Sequence, residues 1–154
     1  MNLKYFFRRH RPSDFKPVVL VTGCASGIGL ALAELLHNEP HYRVVVTARK
    51  GSLSILKEKF PESDRFLIRS LDVTLEEERL ELIQEINSVW GGINILVNNA
   101  GLSYRAVVEH MSEAEEQHQF ATNYFGPVGL IRAVLPHMRK IGRGKIINVS
   151  SVSG

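Results

Sequence analysis

From Pro17 onward the chain alternates short runs of β-branched residues with longer segments whose apolar positions recur at helical spacing. Runs such as VVLVTG and RVVVTA are apolar at consecutive positions, the pattern of parallel strands covered on both faces. Five strands are predicted, near Val18 to Thr22, Arg43 to Ala48, Arg65 to Asp72, Ile93 to Asn98 and Lys145 to Ser150, with helices between them. In one helix Leu75, Leu82, Ile83, Ile86, Val89 and Trp90 form a single stripe expected to pack on the sheet. Thr74 with Glu77, and Ser112 with Glu115, have the spacing of capping boxes and mark two helix starts. The alternation predicts an α/β fold with a doubly wound parallel sheet of about five strands.

Composition narrows the class. With 154 residues, 44% hydrophobic and 23% charged, the chain can bury one ordinary core. No apolar run approaches the roughly 18 to 20 residues of a membrane-spanning helix. The net charge of +3 is uneven: residues 1–16 hold five cations (Lys4, Arg8, Arg9, Arg11, Lys16) against Asp14, a net of +4 that leaves −1 for the remainder. A basic balance confined to an arm is poor support for nucleic-acid binding, and none is expected. The arm, KYFFRRHRP, lacks the apolar core of a signal peptide. It reads either as a mobile extension or as a segment contacting a neighbouring subunit or an anionic membrane surface. A single cysteine, Cys24, excludes an internal disulfide and fits a reducing compartment, so a cytoplasmic location is expected. The six histidines show no ligand spacing, and Pro40 interrupts the pair His37 and His41, so no metal is assigned.

After the first strand stands TGCASGIG, with Gly23, Gly27 and Gly29 where a strand turns into a helix. Glycine permits positive φ and close backbone approach, and the free amides of a helix N-terminus attract a pyrophosphate. The spacing departs from G-x-G-x-x-G, and no Gly-Lys-Ser/Thr follows as in a P-loop. A tight structural turn is the plainer use of the same glycines.

Thr22, Gly23, Gly27 and Gly29 reproduce T-G-x-x-x-G-x-G, and here the chain resembles the short-chain dehydrogenase/reductase family. Asn98 to Gly101 match its NNAG, and GKIINVSSVSG matches its fifth strand and serine, so the resemblance runs from about Val18 to Gly154. It implies a Rossmann-like dinucleotide-binding domain over residues 17–154, following the basic extension of residues 1–16. Implied cofactor contacts are Thr22, Gly23, Ser26, Gly27, Ile28, Gly29, Asp72, Val73, Asn99, Ala100 and Gly101, with Asp72 and Val73 bordering the adenine.

An NAD site carries an acid at the end of the second strand, whereas NADP needs a cation for the 2′-phosphate. Here that strand ends in Ala48, Arg49 and Lys50, which favours NADP(H) over NAD(H) through Arg49, unless Arg49 is merely a solvated strand end. The family's active site uses Asn, Ser, Tyr and Lys, and two can be placed. Ser151 matches the serine that bonds the substrate oxygen, with Ser150 strand-bound and Ser153 a weaker candidate. Asn123, in TNYFGPVG, matches the asparagine. Pro127 cannot donate to the Asn123 carbonyl four residues back, so a kink is expected there, functional or purely a matter of packing.

No Tyr-x-x-x-Lys occurs, and the resemblance places it beyond Gly154, with the C-terminal strands. The 154 residues alone are then expected to be inactive, and Ile146, Ile147 and Val149 to form an unpaired apolar edge that promotes association. The implied function is hydride exchange between a nicotinamide and a small carbonyl or alcohol, in a homo-oligomer when complete. The alternative is a non-catalytic dinucleotide-binding or sensor protein. TGCASGIGLALA and VTARK are similar to members acting on steroids and retinoids, over too short a stretch to set a substrate.

Overall fold

The computed structural model describes residues 15–104 and 107–151. Residues 1–14 of the basic arm and Ser153 lie outside them.

Five strands form one parallel sheet: β1 Val18–Val21, β2 Arg43–Ala48, β3 Phe66–Ser70, β4 Ile95–Asn98 and β5 Lys145–Asn148. Their order across the sheet is β3-β2-β1-β4-β5. The chain steps outward from β1 to β3, then returns to place β4 on the other side of β1, with Leu20 opposite Val45 on one flank and Leu96 on the other. The helices are α1 Gly27–His37, α2 Leu53–Lys59, α3 Glu76–Trp90, α4 Glu113–Phe120 and α5 Gly126–Lys140.

Alternate residues of the central strands feed two cores. Val18 and Leu20 of β1 point into a cluster with Leu82, Ile83 and Ile86 of α3 and Leu130, Val134 and Met138 of α5. Val19 and Val21 point the other way, among Ala33 of α1, Leu56 of α2 and Phe66 of β3. Each such fully buried aliphatic side chain stabilises the fold by about 1.5–3 kcal/mol. This two-sided burial is why the strands read as unbroken apolar runs.

The predicted strands are all present, ending slightly inside their expected limits, and Ser150 lies past β5, not within it. The capping box at Ser112 and Glu115 forms in both directions. That at Thr74 does not: the Thr74 hydroxyl donates to Asp72 Oδ1 at 2.7 Å, and α3 begins only at Glu76. The apolar stripe of α3 is narrower than expected, because Leu75 precedes the helix and Val89 faces solvent.

Among the described residues β5 pairs on one side only, and Ile147 stands 47% exposed beside it. Such an edge templates further pairing. Sedimentation velocity on the 154-residue chain should therefore show association growing with concentration and suppressed by Ile147→Lys; a monodisperse monomer at all concentrations would contradict this.

Candidate dinucleotide site

The sheet order reverses between β1 and β4, and the crevice outside their C-terminal ends is where open α/β sheets take ligands. One wall is the turn from β1 into α1. Gly23 and Gly27 adopt φ of +71° and +56°, a region costly for other residues. Gly29 is in an ordinary helical conformation but in tight contact: a Cβ there would overlap the Gly23 carbonyl oxygen and Asn99 Nδ2. Gly27 instead borders open space, so its missing side chain leaves room in front of α1.

At the start of α1, Ser26 is the N-cap but its side chain makes no capping hydrogen bond, and the first turn holds no acid. Ser26, Gly27 and Ile28 are exposed, Ile28 at 65% despite its apolar side chain. An uncapped, positively polarised helix end beside an open glycine suits a pyrophosphate. These residues fit a dinucleotide.

The facing wall is the NNAG turn after β4. Asn99 Nδ2 donates to the carbonyls of Thr22 and Gly23, both at 2.9 Å. Thr22 Oγ1 accepts from the amides of Asn99 at 3.1 Å and Ala100 at 3.0 Å. The Thr22 side chain is 1% exposed and committed to this turn, so it joins the two walls and has no surface left for a ligand. Ala100 Cα lies 2.6 Å from where a Gly23 Cβ would stand. Asn98 donates from Nδ2 to Asn148 Oδ1 at 2.9 Å, while its own Oδ1 is buried without a hydrogen-bond partner. Cys24 is fully buried, and burial pushes its thiol up to about 12 against the lowering hydrogen bond with Thr47, which makes it a poor nucleophile.

Arg49 follows β2 directly, exposed at the start of a single 3-10 turn over Lys50–Ser52. Asp72 follows β3. Burial pushes its carboxyl up, but hydrogen bonds from the Thr74 hydroxyl and amide, with the Arg49 and His118 charges, hold it below its ordinary value. The neighbouring Val73 is buried among core residues, and Arg79 Nη1 takes its carbonyl at 2.6 Å. Its side chain therefore offers little surface to an adenine.

Asn123 lies in a π-helical turn, Ala121–Phe125, between α4 and α5. The widened turn falls where Pro127 cannot donate to the Asn123 carbonyl, the position at which the sequence predicts a kink. The Asn123 side chain clasps the loop after NNAG: Oδ1 accepts from Leu102 N at 3.0 Å and Nδ2 donates to Leu102 O at 2.8 Å. Two residues on, Tyr104 N donates to Gln119 Oε1 at 3.0 Å, and Tyr104 Oη pairs with His118 Nδ1 at 2.9 Å. Sequence reading missed Tyr104 and His118, since their meeting depends on the path of the loop. Ser151 lies just past β5, exposed. Among the described residues no group of three or more His, Cys, Asp or Glu is placed to hold a metal, and no helix is long and apolar enough to cross a membrane.

A parallel sheet reversing at β1, with a glycine-rich turn and an uncapped helix end at the reversal, defines a dinucleotide-binding α/β domain of the Rossmann type. Residues 17–154 match the model of the short chain dehydrogenase family, and the chain belongs to that family. It is 39% identical over 137 residues to a 3-ketodihydrosphingosine reductase of Bacteroides thetaiotaomicron, covering 89% of this chain and 48% of that protein. It is 40% identical over 148 residues to retinol dehydrogenase 8 of Bos taurus, covering 92% and 46%. The chain thus spans about half the length of the curated relatives it matches. Among solved structures it is similar to a short-chain dehydrogenase from Streptomyces avermitilis (38% identity, TM-score 0.80, covering 89% of this chain and 50% of that one). It is also similar to the closed form of serine dehydrogenase complexed with NADP+ (33% identity, TM-score 0.79, covering 89% and 55%).

Proposed function

We propose that the protein is an NADP(H)-dependent oxidoreductase acting on a small carbonyl or alcohol, with residues 17–154 forming the dinucleotide-binding part. The observation that carries this reading is the crevice itself: an uncapped α1 N-terminus behind an open glycine, with Arg49 exposed at the adjoining strand end. Gly23, Ser26, Gly27 and Ile28 would hold the pyrophosphate and nicotinamide side, and Arg49 the 2′-phosphate. Asp72 would border the adenine, and Asn99, Ala100 and Gly101 the ribose. A bound nicotinamide supplies hydride transfer.

Ser151 offers a hydroxyl to the substrate oxygen. Asn123 positions the crevice wall through Leu102 and leaves a carbonyl that Pro127 cannot engage. The tyrosine and lysine that complete the family's chemistry would come from outside these 154 residues, and a homo-oligomer would be the working form. NADP in the serine dehydrogenase complex supports the choice of cofactor.

Arg49→Ala should weaken NADPH binding by roughly 10- to 100-fold in calorimetry, the loss of one charge-assisted phosphate contact, and leave NADH binding nearly unchanged. Equal losses for the two nucleotides would sink the assignment.

A further inference from the structure

A second concave site lies at the opposite end of the strands, where nothing in the proposed chemistry takes place. The cavity, of about 340 Å³, is bounded by Lys16 and Val18 at the start of β1, Arg43 at the start of β2, Trp90 at the end of α3, His137 in the last turn of α5 and Arg143 just past it. From Lys16 to Thr22 the chain runs along β1, roughly 20 Å when extended, so this cavity and the glycine crevice are separate sites.

Its chemistry is one-sided. Lys16, Arg43 and Arg143 are basic, and among the described residues no Asp or Glu lines the cavity and none of the three makes an ion pair. Like charges gathered in a concave space repel one another and focus a positive potential there. The Arg43 guanidinium lies 5.9 Å from the Trp90 ring centroid and that of Arg143 4.4 Å from the Phe15 ring. Both rings hold their guanidiniums in place ahead of any ligand. Arg143 Nε is shut off from water without a hydrogen-bond acceptor. The wall is rigid as well: Gly91 and Gly92 adopt φ of +80° and +135°, and the His137 imidazole occupies the space that a side chain at position 92 would need.

We infer that this cavity binds a small phosphomonoester dianion, its oxygens held by Arg43, Arg143 and Lys16 and its organic body against Trp90 and Phe15. Two guanidinium forks match a phosphate's oxygens, and a space of this size encloses a compact ligand, not a polymer. The phosphate can belong to a free metabolite or to a lipid headgroup.

Trp90 is the only tryptophan of the chain and lines the cavity, so its emission reads the site directly. Phenyl phosphate, titrated at constant ionic strength, should give a saturable change in Trp90 fluorescence. Arg143→Gln and Arg43→Gln, each checked for native circular dichroism, should weaken it at least tenfold, and Arg49→Ala should leave it unchanged. NADPH binding should be unaffected by Arg143→Gln, which separates this site from the crevice. A response to phosphatidic acid vesicles but not to phenyl phosphate, again lost in both variants, supports the same recognition with a lipid as its source. The inference is overturned if neither probe saturates above a sodium chloride control, if the response survives in both folded variants, or if it follows Arg49 and not Arg143.

Discussion

Gly29→Ala is expected to destabilise the domain, with an overpacking cost of about 3 kcal/mol, the upper part of the range for a close contact. The added methyl would meet the Gly23 carbonyl oxygen and the Asn99 amide nitrogen, which is itself bonded to Thr22 and Gly23. Neither neighbour is the loose end of a flexible side chain, so relief requires α1 to move away from the β1 turn. The roughly 1 kcal/mol of helix propensity that alanine brings is smaller than this cost. In a domain of this size the net loss of about 2 kcal/mol lowers the melting temperature by roughly 4–8 °C, and dinucleotide affinity falls with it because the α1 amides shift. A thermal melt within about 2 °C of the parent would show that the contact relaxes freely.

Thr22→Val has the second large expected effect. Valine keeps the shape but removes the oxygen that accepts the Asn99 and Ala100 amides and itself donates to Val97 O. Each donor left dry costs about 1–3 kcal/mol, and since the turn is only partly buried a combined loss of about 2–4 kcal/mol is expected. Urea unfolding measures it, and Thr22→Ser, which restores the oxygen, should recover most of the difference. Equal stabilities of the serine and valine variants would mean that water already serves those amides.

The parts of the molecule that the sequence discloses are those governed by local rules. β1 and β2 are legible because burial on both faces demands unbroken apolar runs, and Gly23 and Gly27 because their φ values exclude most other residues. The Ser112 box is legible because the carboxylate that takes its hydroxyl proton belongs to Glu115, the same residue whose amide the hydroxyl oxygen caps. Thr74 misleads because its carboxylate partner is Asp72, two residues earlier, which takes both its hydroxyl and its amide and turns it away from the helix start. The inward packing of the Val73 side chain is not legible either, because a turn residue beside a crevice can face either way and the room it fills is left by Gly126 of α5. Where the glycine turn, Arg49 and the NNAG turn fall in the fold could be read from the chain alone. The committed hydroxyl of Thr22, the Tyr104–His118 pair and the basic cavity around Trp90 could not, because each joins residues that only the packed sheet brings together.

The four hydrogen bonds between Leu102 or Tyr104 and the α4–α5 bend all fall within three residues of loop and six of helix. So short a seam leaves the loop no way to drift outward by degrees while the bend stays still. The seam therefore acts as a clasp: displacing the loop from the π-turn costs all four hydrogen bonds together, so this wall of the crevice is held by the helix and not by the loop's own backbone.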